Sequence, residues 1–143
     1  MALVFRLMYK DADDKPVIAD DGGLGVRPGL DILVDAQGNA RVTHHGMSVA
    51  PRWRDISIIR IPPKLVEGGR GDDDTYVFKR GDGAFVQEPF AAGLELLPDN
   101  KIPHKHGSVR PDNLCPLPTY RTNIEATRDE WEFVIDADAR NQP

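Results

Sequence analysis

The sequence contains one cysteine, Cys115, so it cannot form an internal disulfide. Its apolar runs are far shorter than the roughly 20 residues of a membrane-spanning helix. The first eleven residues, MALVFRLMYKD, lack the basic segment and long apolar core of a secretory signal. The formal net charge of −5 gives no strong signal for nucleic-acid binding. These absences favour action in a reducing cytoplasm and leave open export into a target cell by a contact-dependent secretion system.

Common catalytic and metal-binding motifs are also missing. There is no phosphate-binding P-loop, no Gly-x-Ser-x-Gly turn and no cysteine spacing for zinc. The Gly-Leu-Gly at 23–25 lacks the third glycine of a dinucleotide fingerprint. No histidine or cysteine stands near the acidic run 72–74 to complete a metal site, so we interpret that run as a solvated loop. We expect no metal site, and we interpret Cys115, in its apolar context, as a buried and unreactive thiol.

The residues that are present indicate a single domain, 1–143. The chain is 40% hydrophobic and 29% charged, which is ordinary for a globular domain with one core. Alternation and turn sequences predict strands at 3–9, 94–97 and 107–109, a hairpin of 30–34 with 40–43, and a second hairpin of 75–79 with 84–87. Arg-Gly-Asp occurs at 70–72 and at 80–82, and we interpret both copies as turn sequences.

Helical signals are concentrated near the C-terminus. Apolar residues at helical spacing predict one helix from Pro118 to about residue 133, and the tail 136–143 is expected to fray. The apolar run 53–61 fits a buried strand or a short helical turn. With many short strands and one clear helix, the predicted class is α+β, with a compact strand-rich sheet core.

Two stretches of the chain repeat one pattern. Residues 45–51 and 106–111 both contain His, Gly, Ser, Val and Pro in that order. Glycine allows backbone to approach a ligand, while histidine and serine exchange hydrogen bonds or protons with it. We predict that Ser48 and His106 face one cleft. The alternative is that two unrelated strand starts share a composition.

Arg6 lies between apolar neighbours on the first predicted strand. Its planar guanidinium suits a carboxylate or a phosphate, which it can bind through two parallel hydrogen bonds. The alternative is a surface arginine on the solvent face of an edge strand.

Six short segments occur in an order that resembles one known family: residues 5–10, 31–34, 46–49, 82–86, 93–94 and 106–111. The order is similar to that in small toxins exported by type VI secretion that have a mono-ADP-ribosyltransferase-like fold. In that family an aromatic-Arg pair opens the first strand, a Gly-x-Ser-Val turn follows a hairpin, and a His-x-Ser/Thr-Ile/Val-x-Pro strand comes near the C-terminus. The resemblance implies an ADP-ribosyltransferase-like sheet core and an NAD-dependent toxin that transfers ADP-ribose or hydrolyses NAD.

The resemblance also implies roles for particular residues. Arg6 would hold the NAD phosphates, Ser48 would brace the nicotinamide ribose, and His106 would contact the ribose or the nicotinamide. Gly46 and Ser108 complete the implied cofactor-binding set. The chain departs from the family in having no Gln-x-Glu or Glu-x-Glu pattern. Glu88 is the carboxylate nearest to a predicted strand, so it is the candidate for stabilising the positive charge of the sugar during cleavage, and Ser108 or His106 are the polar alternatives.

Two other function classes remain open at this point. A small ribonuclease toxin would use two histidines as an acid and base near neutral pH, and the chain offers His44, His45, His104 and His106. A non-catalytic binding or immunity module would use the same histidines as structural hydrogen-bond partners. The expected partners of a toxin are NAD, an unidentified macromolecular target and a cognate antitoxin or immunity protein, with no membrane.

Overall fold

The computed structural model describes residues 1–142, which form nine strands and two helices. The strands are β1 Val4–Tyr9, β2 Asn39–Ala40, β3 Met47–Val49, β4 Thr75–Arg80, β5 Glu88–Ala91, β6 Leu94–Pro98, β7 Gly107–Pro111, β8 Cys115–Pro116 and β9 Glu132–Val134. The helices are α1 Leu117–Glu125 and α2 Asp136–Arg140, with 3₁₀ turns at Trp53–Asp55 and Arg128–Glu130. The predicted strand-rich α+β class with one main helix is confirmed.

The strands form three antiparallel groups. The order β1-β4-β9 makes a three-stranded sheet, β3-β7-β6-β5 makes a four-stranded sheet, and β2 pairs with β8. A single bridge joins the two larger sheets, because Phe5 N donates to Ala50 O at 2.8 Å and Ala50 N donates to Phe5 O at 3.0 Å. This bridge places strand β1 next to the end of β3.

Strand β1 is buried on both faces, and its alternation is as predicted. Val4 and Met8 pack into the larger hydrophobic cluster, while Phe5 and Leu7 pack into a second one. Arg6 has the parity of Val4 and Met8, so it projects from the face that covers the larger cluster. Its side chain is half-buried.

The predicted hairpin of 75–79 with 84–87 is wrong. Strand β4 instead pairs with β1 and β9, and residues 84–87 are not a strand. Gly83 N donates to Met1 O at 2.7 Å, so the turn after β4 packs on the N-terminus. The hairpin in this part of the chain is β5–β6, which turns through Gly93 at φ +78°.

The predicted hairpin of 30–34 with 40–43 is present only as one bridge. Val34 faces Ala40 across a turn in which Asp35 accepts from the amides of Gln37 and Asn39, each at 2.9 Å. Gly38 has φ +83°, which is the conformation this turn requires of glycine. The turn was predicted correctly, whereas the flanking strands are shorter than predicted.

The C-terminal helix ends earlier than predicted. Thr127 Oγ1 donates to Ile124 O at 2.7 Å and accepts from Trp131 Nε1 at 3.0 Å, so the chain turns to bury Trp131 and continues as β9. The tail expected to fray contains α2, whose Ala139 carbonyl accepts from Trp53 Nε1 at 3.1 Å. The run 53–61 forms a 3₁₀ turn followed by a partly exposed loop.

Candidate functional site

The main cavity lies where β1 meets β3 and has a volume of about 340 Å³. Segments 20–31, 55–60, 70–72 and 105–106 complete its walls. A second cavity of about 380 Å³ is lined by segments 30–31, 44–48 and 99–101 and by the start of β7. Asp31, Ser48 and His106 line both cavities, so these three side chains mark the place where the two meet.

Arg6 lies in the main cavity and is bound to backbone carbonyls. Its Nε and Nη2 donate to Gly23 O at 3.1 and 3.0 Å, and its Nη1 donates to Ser48 O at 2.7 Å. Burial lowers the pKa of Arg6 to about 10, and the charge of Asp31 opposes this shift, so the side chain remains a cation at neutral pH. The guanidinium therefore ties the Gly23 loop to strand β3.

Ser48 and Ser108 are directly opposite each other in the β3–β7 pair. Side chains of opposed residues share one face of a sheet, so both hydroxyls point to the same side. Ser48 is exposed and lines both cavities, whereas Ser108 is 5% exposed and lines the second cavity only. Gly46 is buried, and a Cβ there would overlap the carbonyl oxygen of Val109. Glycine at this position therefore allows β3 to approach β7.

His106 is held at the start of β7 by the preceding loop. Its Nδ1 lies 3.4 Å from Asp99 Oδ2, and Asp99 N donates to His106 O at 2.8 Å. The amides of Lys101 and Ile102 donate to Asp99 and hold the pKa of its carboxyl below the ordinary value. An ionised Asp99 beside Nδ1 leaves Nε2 as the ring nitrogen available to a ligand.

Asp31 is a carboxylate of the site that was not predicted from the sequence to be catalytic. Arg27 holds it through two side-chain hydrogen bonds of 3.1 Å and a backbone hydrogen bond of 2.8 Å. Partial burial by itself raises the pKa of Asp31, but the hydrogen bonds and charge of Arg27 and the charge of Arg6 outweigh it, so the pKa lies below its ordinary value. The sequence signal that could have identified Asp31 is an arginine four residues before it, across a glycine turn.

Glu88 lies away from the other candidates. It is on β5, which two strands separate from β3, and it lines neither cavity. Its Oε1 accepts from Ala2 N at 2.5 Å, which fixes the N-terminus. Proximity to a strand in sequence did not indicate which edge of the sheet that strand would occupy.

The histidines divide between the cavities and the surface. His44 and His45 are exposed and line the second cavity together with His106. His104 lines neither cavity. Three of the four histidines proposed for a ribonuclease are therefore close to one another.

Other features of the chain bear on which chemistry is available. Residues 1–142 contain no cluster of three or more His, Cys, Asp or Glu side chains suited to a metal ion. Cys115 is half-buried, and burial raises the pKa of its thiol. In the described part of the chain, no helix has the length and hydrophobicity of a membrane span.

Comparison of the chain with protein-family models, with curated proteins and with solved structures finds no match.

Proposed function

We propose that this protein is an NAD-dependent toxin that acts in the cytoplasm of a target cell as a mono-ADP-ribosyltransferase or an NAD hydrolase. The observation that supports this proposal is the position of Arg6, Ser48 and His106. These residues come from three distant parts of the chain and line one cavity. A cavity of this size, with a few convergent polar groups, is typical of small-molecule and cofactor sites.

Cleavage of NAD requires a negative group beside the nicotinamide ribose. The C–N bond breaks as nicotinamide leaves with the bonding electron pair, and the sugar develops positive charge. Asp31 is ionised and lines the cavity beside Ser48 and His106, so we assign the stabilising role to Asp31 in place of Glu88. Water or an acceptor group then forms a bond to the anomeric carbon and loses its proton.

The remaining side chains position the ribose. The exposed hydroxyl of Ser48 can exchange hydrogen bonds with a ribose hydroxyl, and the Nε2 of His106, which directly precedes β7, can do so as well. Arg6 keeps the wall that carries Ser48 in place, because its Nη1 binds the Ser48 carbonyl. Positioning of this kind contributes a large part of the rate of a bimolecular reaction.

A toxin that acts in the cytoplasm also requires protection of the cell that makes it. We therefore include a cognate antitoxin or immunity protein among its partners and a contact-dependent secretion system as its route of export.

A ribonuclease is the second candidate function. The observation that favours it is that His44, His45 and His106 line the second cavity together. Two imidazoles facing one phosphodiester can act as its general acid and general base.

Expression of the intact chain in bacteria separates these functions. We expect growth arrest with loss of cellular NAD while ribosomal RNA remains intact. Fragmented RNA at constant NAD would instead support the ribonuclease. Normal growth with unchanged NAD and RNA would contradict both functions.

Purified variants test the role assigned to the Asp31 carboxylate in NAD cleavage. We expect Asp31→Asn to lower NAD consumption about 100-fold, as expected for loss of a group that stabilises charge in the transition state. Arg27→Gln removes the same ion pair but keeps the carboxylate, so it should retain most of the activity. Asp73→Asn, an exposed change outside both cavities, is the control. If Glu88→Gln abolished consumption and Asp31→Asn did not, the assignment would be wrong.

A further inference from the structure

Acidic side chains in the main cavity are mostly neutralised by arginines. Four of the five aspartates that line it form ion pairs with N···O distances of 2.8 to 3.1 Å. The fifth, Asp72, accepts from Tyr9 Oη at 2.7 Å and from Asp74 N at 2.8 Å. The carboxylates are thus already bound to protein groups.

Basic side chains in the same cavity are less completely paired. Arg70 and Lys105 line it, and neither has a carboxylate or a hydrogen-bond acceptor for its side chain among residues 1–142. Arg6 binds only neutral carbonyls. Five cationic side chains balance the five aspartates of the lining, but Arg6, Arg70 and Lys105 have no carboxylate partner among residues 1–142. Cations without a carboxylate partner favour an anionic ligand.

The backbone around Arg70 is fixed in position. Gly69 N, Arg70 N and Gly71 N donate to the carbonyls of Val66, Ile58 and Ile61 at 3.2, 3.0 and 2.9 Å. A Cβ at Gly69 or at Gly71 would overlap the backbone of residues 60–62. The two glycines therefore allow the segment to pack closely, and the exposed side chain of Arg70 is presented to the cavity.

The arginines of the two Arg-Gly-Asp sequences differ in where their side chains lie. Arg80 is 2% exposed, and its Nη2 binds Glu130 Oε1 at 2.9 Å and the Phe90 carbonyl at 2.8 Å. Arg80 is therefore a buried side chain that is already bound to protein groups. Arg70, in the other copy, faces the cavity.

We infer that Arg70 and Lys105 form an oxyanion site for a diphosphate, and that Arg6 serves to hold the cavity wall. A guanidinium binds phosphate oxygens through two parallel hydrogen bonds, and a lysine adds a mobile point charge. Lys105 directly precedes His106, which lines the junction of the two cavities. A diphosphate at Lys105 would thus lie next to a ribose at His106. The inference rests on the proposed function in taking NAD as the dinucleotide.

Three of the five N–H groups of Arg6 already donate to Gly23 O and Ser48 O. A ligand phosphate that took Arg6 away from those carbonyls would leave them without a donor and release the loop from β3. Arg70 and Lys105 have no such commitment, so they can bind an anion without loss of a protein contact.

Calorimetry with inorganic pyrophosphate, ADP and NAD tests the inference. Arg70→Gln and Lys105→Gln should each weaken pyrophosphate and ADP binding about tenfold or more, because each removes a charge-assisted contact. Each change should also reduce the dependence of affinity on salt. Arg41→Gln removes an exposed arginine that lines neither cavity and should leave affinity unchanged.

The outcomes separate this inference from the proposed function. Unchanged pyrophosphate and ADP affinity in both variants, or absence of pyrophosphate binding by the intact protein, would overturn the oxyanion site even if NAD is consumed. Loss of pyrophosphate affinity in both variants would support the site. If NAD were then left intact by the same protein, the proposed function would fail and the oxyanion site would stand.

Discussion

Six aspartates have pKa values below the ordinary value of 3.8: Asp11, Asp21, Asp31, Asp35, Asp72 and Asp99. In four of them the largest cause is an amide that donates to the carboxylate from a residue two or four positions further along a turn. For Asp21 the largest cause of the lowered pKa is the hydrogen bond from Arg60. For Asp31 the contacts of Arg27 lower the pKa by more than partial burial raises it. Ionised aspartates thus fix several loops, and Asp21, Asp31, Asp72 and Asp99 lie on loops that line the cavities.

The lowered pKa values predict how stability depends on pH. The unfolded state binds protons more tightly than the folded state at these groups, so their contribution is complete above about pH 5 and is lost as pH falls through the folded-state values below 3.8. We expect the free energy of unfolding, measured by denaturant titration, to be nearly constant from pH 8 to 5 and to decrease below about pH 4. A decrease centred near pH 6 would show that histidines govern stability instead.

At the scale of elements, the β3–β7 pair determines the geometry of the site. Tyr120 of α1 is fully buried; its hydroxyl donates to Val109 O at 2.6 Å and accepts from Met47 N at 3.2 Å. One side chain thus connects the helix to both strands next to Gly46. This contact supports the register in which Ser48 faces Ser108.

Tyr120→Phe tests the contribution of this contact. The change leaves a buried carbonyl and a buried amide without the hydroxyl, so we expect a loss of about 1–3 kcal/mol in the free energy of unfolding. Tyr76→Phe is the matched control. The Tyr76 hydroxyl has no side-chain hydrogen bond within the described chain, and its ring packs edge-on against Phe133 at 5.4 Å. Equal losses in the two variants would contradict a specific role for the Tyr120 hydroxyl.

Local patterns predicted some elements and could not predict how they pair. Alternation identified β1, β6 and β7, and the glycine at position 38 identified its turn, because each depends on neighbouring residues. The partners of β4 could not be predicted in this way. Its sequence fits a hairpin, yet burial of Val77 and Phe78 between β1 and β9 decides the pairing. The end of α1 likewise depends on burial of Trp131.

At the scale of the whole molecule, the site combines predicted and unpredicted residues. Three site residues were predicted from their residue types, namely Arg6, Ser48 and His106. The fold places them in one cavity. Asp31 and Arg70 were not identified, because their loops meet the cavity only after the two sheets are joined at Phe5 and Ala50. Net charge was also a poor guide, since a formal charge of −5 does not indicate that Arg70 and Lys105 line the cavity without a carboxylate partner.

Release of nicotinamide from NAD by the purified intact chain is the most direct test of the account. We expect nicotinamide and ADP-ribose to accumulate, because water can replace a macromolecular acceptor at the anomeric carbon. Ser48→Ala should lower the rate by about 10-fold to 100-fold, in line with loss of a group that positions the sugar. If NAD remained intact with the wild-type protein, and calorimetry detected no binding of NAD, the assignment of this cavity to NAD would be contradicted.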